Sequence, residues 1–172
     1  MKNIITIVAL SLFICTSVCG QSKKEKKAEK ALEEYVEMKA LIETKEYDFQ
    51  ADWATTVQGG RRINLASNAN FLKIDKDSAN IYLPFFGTST TGGGTMTNDG
   101  GITIIDVMEN YEMEIDDKKQ KITVKFAAIS KNERYLFQLT IFRSGNTMIN
   151  VNSNYRSGIK YEGKTKRPVT KY

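Results

Sequence analysis

The chain has 172 residues, with 25 Lys and Arg against 20 Asp and Glu, no histidine and only two cysteines. Both cysteines, Cys15 and Cys19, fall within the first twenty residues. The remainder can therefore build no disulfide, no thiolate or imidazole metal site, and no Ser-His-Asp or Cys-His constellation.

The N-terminus reads as a signal peptide over residues 1–20. Lys2 supplies a positive start and Ile4 to Val18 an apolar run too short to span a bilayer. Val18 and Gly20 suit positions −3 and −1 of a cut that leaves Gln21 as the first mature residue. The competing reading is acylation at Cys19, which would tether the product by lipid; a soluble product is favoured because Val18 is large for the residue before a lipid-modified cysteine. No later apolar stretch is long enough to cross a membrane as a helix. Removing Lys2 with the leader lowers the formal charge of +5 to +4. The excess gathers at the ends: Lys23, Lys24, Lys26, Lys27 and Lys30, then Lys160, Lys164, Lys166, Arg167 and Lys171. Charge confined to the ends, with no aromatic-studded basic groove, argues against a nucleic-acid partner and leaves room for peripheral membrane association.

Residues 21–46 are expected to form an amphipathic helix. No Gly or Pro interrupts Lys24 to Thr44, and Leu32, Tyr35, Val36, Met38, Leu41 and Ile42 recur at helical spacing. Such a helix needs a surface to lie on.

From Tyr47 the period changes to two. Tyr47, Phe49, Ala51 and Trp53 alternate with polar residues, and so do Ile63 and Leu65, Leu72 and Ile74, and Ile81 and Leu83. Further on come Ile102 and Ile104; Tyr111, Met113 and Ile115; Ile122 to Ala128; Tyr135 to Ile141; Met148 or Ile149 with Val151; and Ile159 and Tyr161. Turn residues at Asp75–Ser78, Asp116–Lys119, Lys131–Glu133 and Ser144–Asn146 separate them. About nine or ten short strands with hairpin-sized links predict a mainly β fold over residues 47–163. It is an antiparallel meander that closes into a lipocalin-like barrel or folds into a β-sandwich, followed by a basic tail at 164–172. Trp53 is expected in the core with its strand's apolar face.

Two segments depart from a plain meander. Thr88 to Gly101 is a long stretch of Gly, Thr and Ser, either a lid over an opening or an incidental surface loop. In Leu83-Pro84-Phe85-Phe86-Gly87 the proline removes a ladder donor, so that strand should end by bending around a corner of the sheet.

With histidine and cysteine excluded, the chemistry left is that of carboxylates. Asp106, Glu109, Glu112, Glu114, Asp116 and Asp117 cluster in sequence, but Glu112 and Glu114 alternate with Tyr111, Met113 and Ile115 and so face solvent, and Asp116-Asp117 reads as a turn. No calcium loop or phosphate loop is completed around Asn98-Asp99-Gly100 or Gly92 to Gly94. No enzyme activity, cofactor or metal is expected. Asn152, Asn154 and Arg156 bring amide and guanidinium donors to one strand end, suited to a carboxylate, phosphate or sugar hydroxyl; alternatively they tie a loop to backbone, with Arg156 bridging to an acid. Asp77-Ser78-Ala79 resembles a short O-glycosylation acceptor, with Ser78 carrying the sugar.

Asn64-Leu65, Phe71-Leu72-Lys73-Ile74, Leu83 to Gly87, Gly100-Gly101-Ile102 and above all Val151 to Gly163, with its Asn-Ser-Asn-Tyr-Arg-Ser run, resemble the family of domain of unknown function DUF4251, exported proteins of Bacteroidetes-type bacteria. The resemblance covers nearly all of the mature chain and implies export and one domain, with no activity and no catalytic residue to carry over. Two functional readings follow. One is a periplasmic or envelope binding module with a small apolar or lipid-like ligand inside the barrel. The other is a structural or protein-interaction domain with a filled core, docking on another envelope protein. The bulk of Phe49, Ile74, Ile122, Phe126, Phe137 and Leu139 tilts against a roomy interior.

Overall fold

The computed structural model describes residues 23–88 and 101–168. The expected leader, and all but the two ends of the glycine-rich segment between Thr88 and Gly101, lie outside these residues. The helix α1 spans Lys23–Glu43. It stops where the Thr44 hydroxyl caps the Leu41 carbonyl at 2.6 Å, and Lys45, at φ 55°, turns the chain into the first strand.

Ten strands follow: β1 Glu46–Thr56, β2 Arg62–Asn64, β3 Phe71–Asp75, β4 Ser78–Pro84, β5 Gly101–Val107, β6 Glu109–Asp116, β7 Lys121–Ser130, β8 Glu133–Phe142, β9 Asn146–Ser153 and β10 Ile159–Lys166. Their spatial order is β5-β4-β3-β1-β10-β9-β8-β7-β6, every pairing is antiparallel, and β2 lies against β1 off this path. The barrel reading holds, and the sandwich does not. β5 and β6 are two halves of one bent strand: Val107 pairs with Ser78 on β4, and two residues later Glu109 pairs with Ala127 on β7. At the bend the Met108 amide donates to the Asp77 carbonyl at 2.7 Å. Counting this bent strand once and setting β2 aside, eight strands go round a nearly closed barrel. The short link between Ile104 and Tyr111 thus makes no hairpin; it carries one strand from one neighbour to the other. What seam remains lies between β5 and β7, bridged by the Ser130 hydroxyl donating to the Thr103 carbonyl at 2.7 Å.

Period-two burial fills the interior. Tyr47, Phe49, Leu72, Ile74, Ile81, Leu83, Ile104, Val124, Phe137, Leu139, Ile149 and Tyr161 are buried in one continuous cluster. The Phe126 and Phe137 rings stack at 4.9 Å between centroids. The hairpin between β7 and β8 turns on Lys131 and Asn132, both at positive φ, the geometry that matches strand twist in a two-residue link. Proline ends β4 at Pro84, as its missing donor requires.

Three expectations change. Leu32 and Val36 are 55% and 56% exposed; the stripe that packs on the barrel is Tyr35, Met38, Leu41 and Ile42, and the other two lie on the far side of α1. The basic tail starts later than residue 164, since β10 runs to Lys166 with Thr165 buried and its hydroxyl 2.8 Å from that of Thr147. Trp53 is not in the core. A bulge in the β1–β10 register between Ala51 and Trp53 shifts the alternation by one, so Ala51, Ala54 and Thr56 face inward. Trp53 turns outward, where the Arg62 guanidinium covers its ring at 4.3 Å.

The other edge of β1 needs a substitute at the same place. β3 pairs with Glu46 to Phe49 and β2 with Trp53 to Thr55, leaving Ala51 between them. The buried Asn70 side chain fills the gap, accepting from the Ala51 amide at 2.7 Å and donating to the Ala51 carbonyl at 3.0 Å. Asn70→Ala leaves both Ala51 groups unpaired in a dry environment and should destabilise the fold by about 2 kcal/mol. Urea unfolding checks it: an unchanged midpoint would mean the Ala51 groups find other partners.

Candidate functional site at the far rim

The two ends of the barrel differ. α1 covers one, held by the Tyr35 hydroxyl donating to Asp117 at 2.8 Å, an ion pair of Lys39 with the same carboxylate at 3.2 Å, and Arg143 facing Glu34 at 3.8 Å. Burial, and then the bond to Asp117, push the Tyr35 hydroxyl up to about 12, while Tyr35 and Lys39 hold Asp117 below the usual carboxylate value. The opposite rim carries the Asn152–Arg156 stretch and both ends of the glycine-rich segment.

At this rim the centre is Glu133, at the start of β8. One oxygen accepts from the Ser153 hydroxyl at 2.5 Å; the other accepts from the Tyr135 hydroxyl at 2.6 Å and from Arg156 Nε at 3.1 Å. The Glu133 and Arg156 side chains are only 12% and 23% exposed, so this is an ion pair largely withdrawn from water. Arg156 also lies 5.0 Å from the centre of the Phe85 ring and 6.0 Å from that of Tyr135. Burial first, and then the bond to Glu133, raise the Tyr135 hydroxyl far above its ordinary value. Tyr161, raised by burial as well, donates to the Pro84 carbonyl at 2.7 Å. Thr88 and Ser157 exchange two bonds: the Thr88 amide to the Ser157 hydroxyl at 3.0 Å and the Ser157 amide to the Thr88 carbonyl at 2.9 Å.

The three donors read from sequence do not converge. Arg156 turns to Glu133, the bridge to an acid named above as the alternative. Asn154 is exposed in the loop. Asn152 stands on the outer wall, in a shallow groove of about 320 Å³ with Asn110, Arg134, Leu136 and Gln138. Both Glu133 oxygens are taken, so the carboxylate is poorly placed to act as a base, and the network serves to lock the β7–β8 turn to the β9–β10 loop. Sequence reading missed Glu133, Tyr135 and Phe85 as partners of Arg156. Glu133 lies 23 residues away at the start of β8, and no local spacing marks such a pair.

The carboxylates of β6 behave as their alternation predicts. Glu114 pairs outside with Lys125 at 2.8 Å, and Asp116 caps the Lys119 amide at 3.0 Å. Ser78 is exposed on the outer face at the start of β4, directly opposite Val107 on β5. That face carries the most exposed large apolar residues of the barrel wall, Ile105 at 80% and Val107 at 59%, with Tyr82 beside them on β4.

A family model described as "Domain of unknown function (DUF4251)" matches residues 29–165. Among solved structures, the chain is similar to a DUF4251 family protein from Bacteroides eggerthii, with a TM-score of 0.61 and 18% identity over 81% of this chain and 91% of that one. At this identity the likeness is one of fold. No curated protein matches the sequence.

Proposed function

The chain belongs to the DUF4251 family, and from that premise we propose that it is an exported, non-catalytic interaction domain that docks another envelope protein on its outer wall. The observation that carries this reading is the contrast between interior and exterior. Tyr47, Phe49, Phe126, Phe137 and Tyr161 occupy the space where a small apolar or lipid-like ligand would have to lie. Ile105 and Val107, meanwhile, stand in solvent beside the seam. The signal-like residues 1–20 support export to the periplasm or outer envelope, soluble if cut before Gln21 and lipid-tethered if Cys19 is acylated. The lack of histidine throughout and of cysteine after residue 20, together with the saturated Glu133, supports a role without catalysis.

Ser78 adds a condition. A glycan on its hydroxyl would rise beside Val107, its cross-strand neighbour, and shield the same apolar face. Modification and docking there are therefore expected to exclude one another.

Native mass spectrometry of the protein taken from its own envelope tests the proposal. The expected result is a complex with a second protein that Ile105→Lys abolishes while the circular dichroism spectrum stays that of the parent. A lipid or metabolite mass retained on the folded protein and released on denaturation would overturn it in favour of a ligand inside the barrel.

A further inference from the structure

We infer that the first half of α1 is a docking element for an anionic lipid surface. The contacts that fix α1 to the barrel begin at Glu34 and Tyr35. Before them, residues 23–30 are all exposed and carry Lys23, Lys24, Lys26, Lys27 and Lys30 against Glu25 and Glu29. None of these five lysines enters an ion pair among the described residues.

The arrangement is sided. At about 100° per residue, Lys23, Lys24, Lys27 and Lys30 share one face roughly 120° wide, and Glu25 and Glu29 fall on the opposite one. The lysine face continues the stripe of Tyr35, Met38, Leu41 and Ile42 that packs on the barrel. The lysines therefore lie beyond the last contact of α1 with the barrel, on the side of the helix that faces it. Three acids at the covered end of the barrel are already engaged: Asp117 by Tyr35 and Lys39, Asp116 by Lys119, and Glu34 by Arg143.

The charge order also opposes the helix itself. Lysines crowd the positive end of the backbone dipole, and the last turn holds no basic residue. Lys23 with Lys27 and Lys26 with Lys30 repel at one-turn spacing. Anions gathered along the lysine face relieve both penalties at once.

The same lysines decide between possible anionic partners. All five are ammonium groups on flexible stems, without an arginine fork for a shaped carboxylate site and without an aromatic anchor on that face. Lysine is depleted at the centre of protein interfaces, whereas a row of point charges suits the diffuse field of anionic headgroups. The inference stands apart from the docking proposed for Ile105, which lies on the barrel wall.

The test uses the chain from Gln21 onward and sedimentation with vesicles of phosphatidylcholine, alone or with phosphatidylglycerol. Binding is expected only to the anionic vesicles and to disappear in high salt. Replacing Lys23, Lys24, Lys27 and Lys30 together by Gln should weaken it at least about tenfold while leaving thermal unfolding unchanged; Ile105→Lys should leave it intact. No binding to anionic vesicles, or equal binding by the four-lysine variant, would overturn the inference.

Discussion

Gly163→Ala is expected to destabilise the barrel by about 3 kcal/mol or more, close to the upper range for a single overpacked site. Gly163 lies opposite the β1 bulge, in the register where Ala51 faces Gly163 but Trp53 faces Glu162. A methyl group there would fall on the Gln50 carbonyl oxygen and come within 2.7 Å of the Ala51 Cα. Neither is a side chain that can swing away; both are backbone, in the middle of the pair formed by the first and last strands. Relief requires β1 and β10 to separate, which breaks ladder bonds on both sides, or the bulge to be lost, which would send Ala54 and Thr56 outward and drive Trp53 into a full core. Urea unfolding should show a lower midpoint with little change in slope. A loss below about 1 kcal/mol would mean that the close approach of the two backbones is not needed.

That glycine marks the boundary of what sequence alone discloses. Strand positions were legible because alternation between water and core is local: Leu72 and Ile74, or Phe137 and Leu139, announce an inward face from their own neighbours. The phase of β1 was not, because the bulge depends on Gly163, far along the chain, and with it went the placement of Trp53. Likewise Asn70 reads as a loop residue, and only the meeting of β1 with both β2 and β3 turns its amide into a rung of the ladder. The bent β5–β6 strand looked like two strands, since a bend and a turn leave the same interruption in the pattern. For the rim, Arg156 was recognised and its partner was not: a buried pair is chosen by the packing of distant turns. On α1 the lysines were visible, whereas that none of them enters an ion pair among the described residues became visible only when the ion pairs of α1 with the barrel proved to begin at Glu34.

Alkaline pH should unfold the protein cooperatively, because several tyrosine hydroxyls are held protonated by burial. Tyr47, Tyr135 and Tyr161 are buried and raised well above the ordinary value, and Tyr35 is raised to about 12. In the unfolded chain each ionises near pH 10. Above that pH the unfolded state binds fewer protons than the folded one, so the stability of the fold falls as pH rises; the contribution is complete below the unfolded value and is lost on the way up to the folded one. Each such tyrosine costs about 1.4 kcal/mol per pH unit in that window. Tyr47, Tyr135 and Tyr161 together cost about 4 kcal/mol per unit, against a total stability of roughly 5–15 kcal/mol for a domain of this kind. The barrel should therefore open before these groups ionise in place, and tyrosinate absorbance and loss of β circular dichroism should rise together within a narrow range above pH 10. Tyr161→Phe separates this linkage from general alkaline damage. It keeps the ring and removes the hydroxyl bonded to the Pro84 carbonyl, so the variant should lose about 1 kcal/mol at neutral pH and then decline less steeply with pH, by about 1.4 kcal/mol per unit. The two stability curves should converge as pH rises. Parallel curves, or tyrosinate formed while the β signal persists, would show that the buried hydroxyls do not set the alkaline limit.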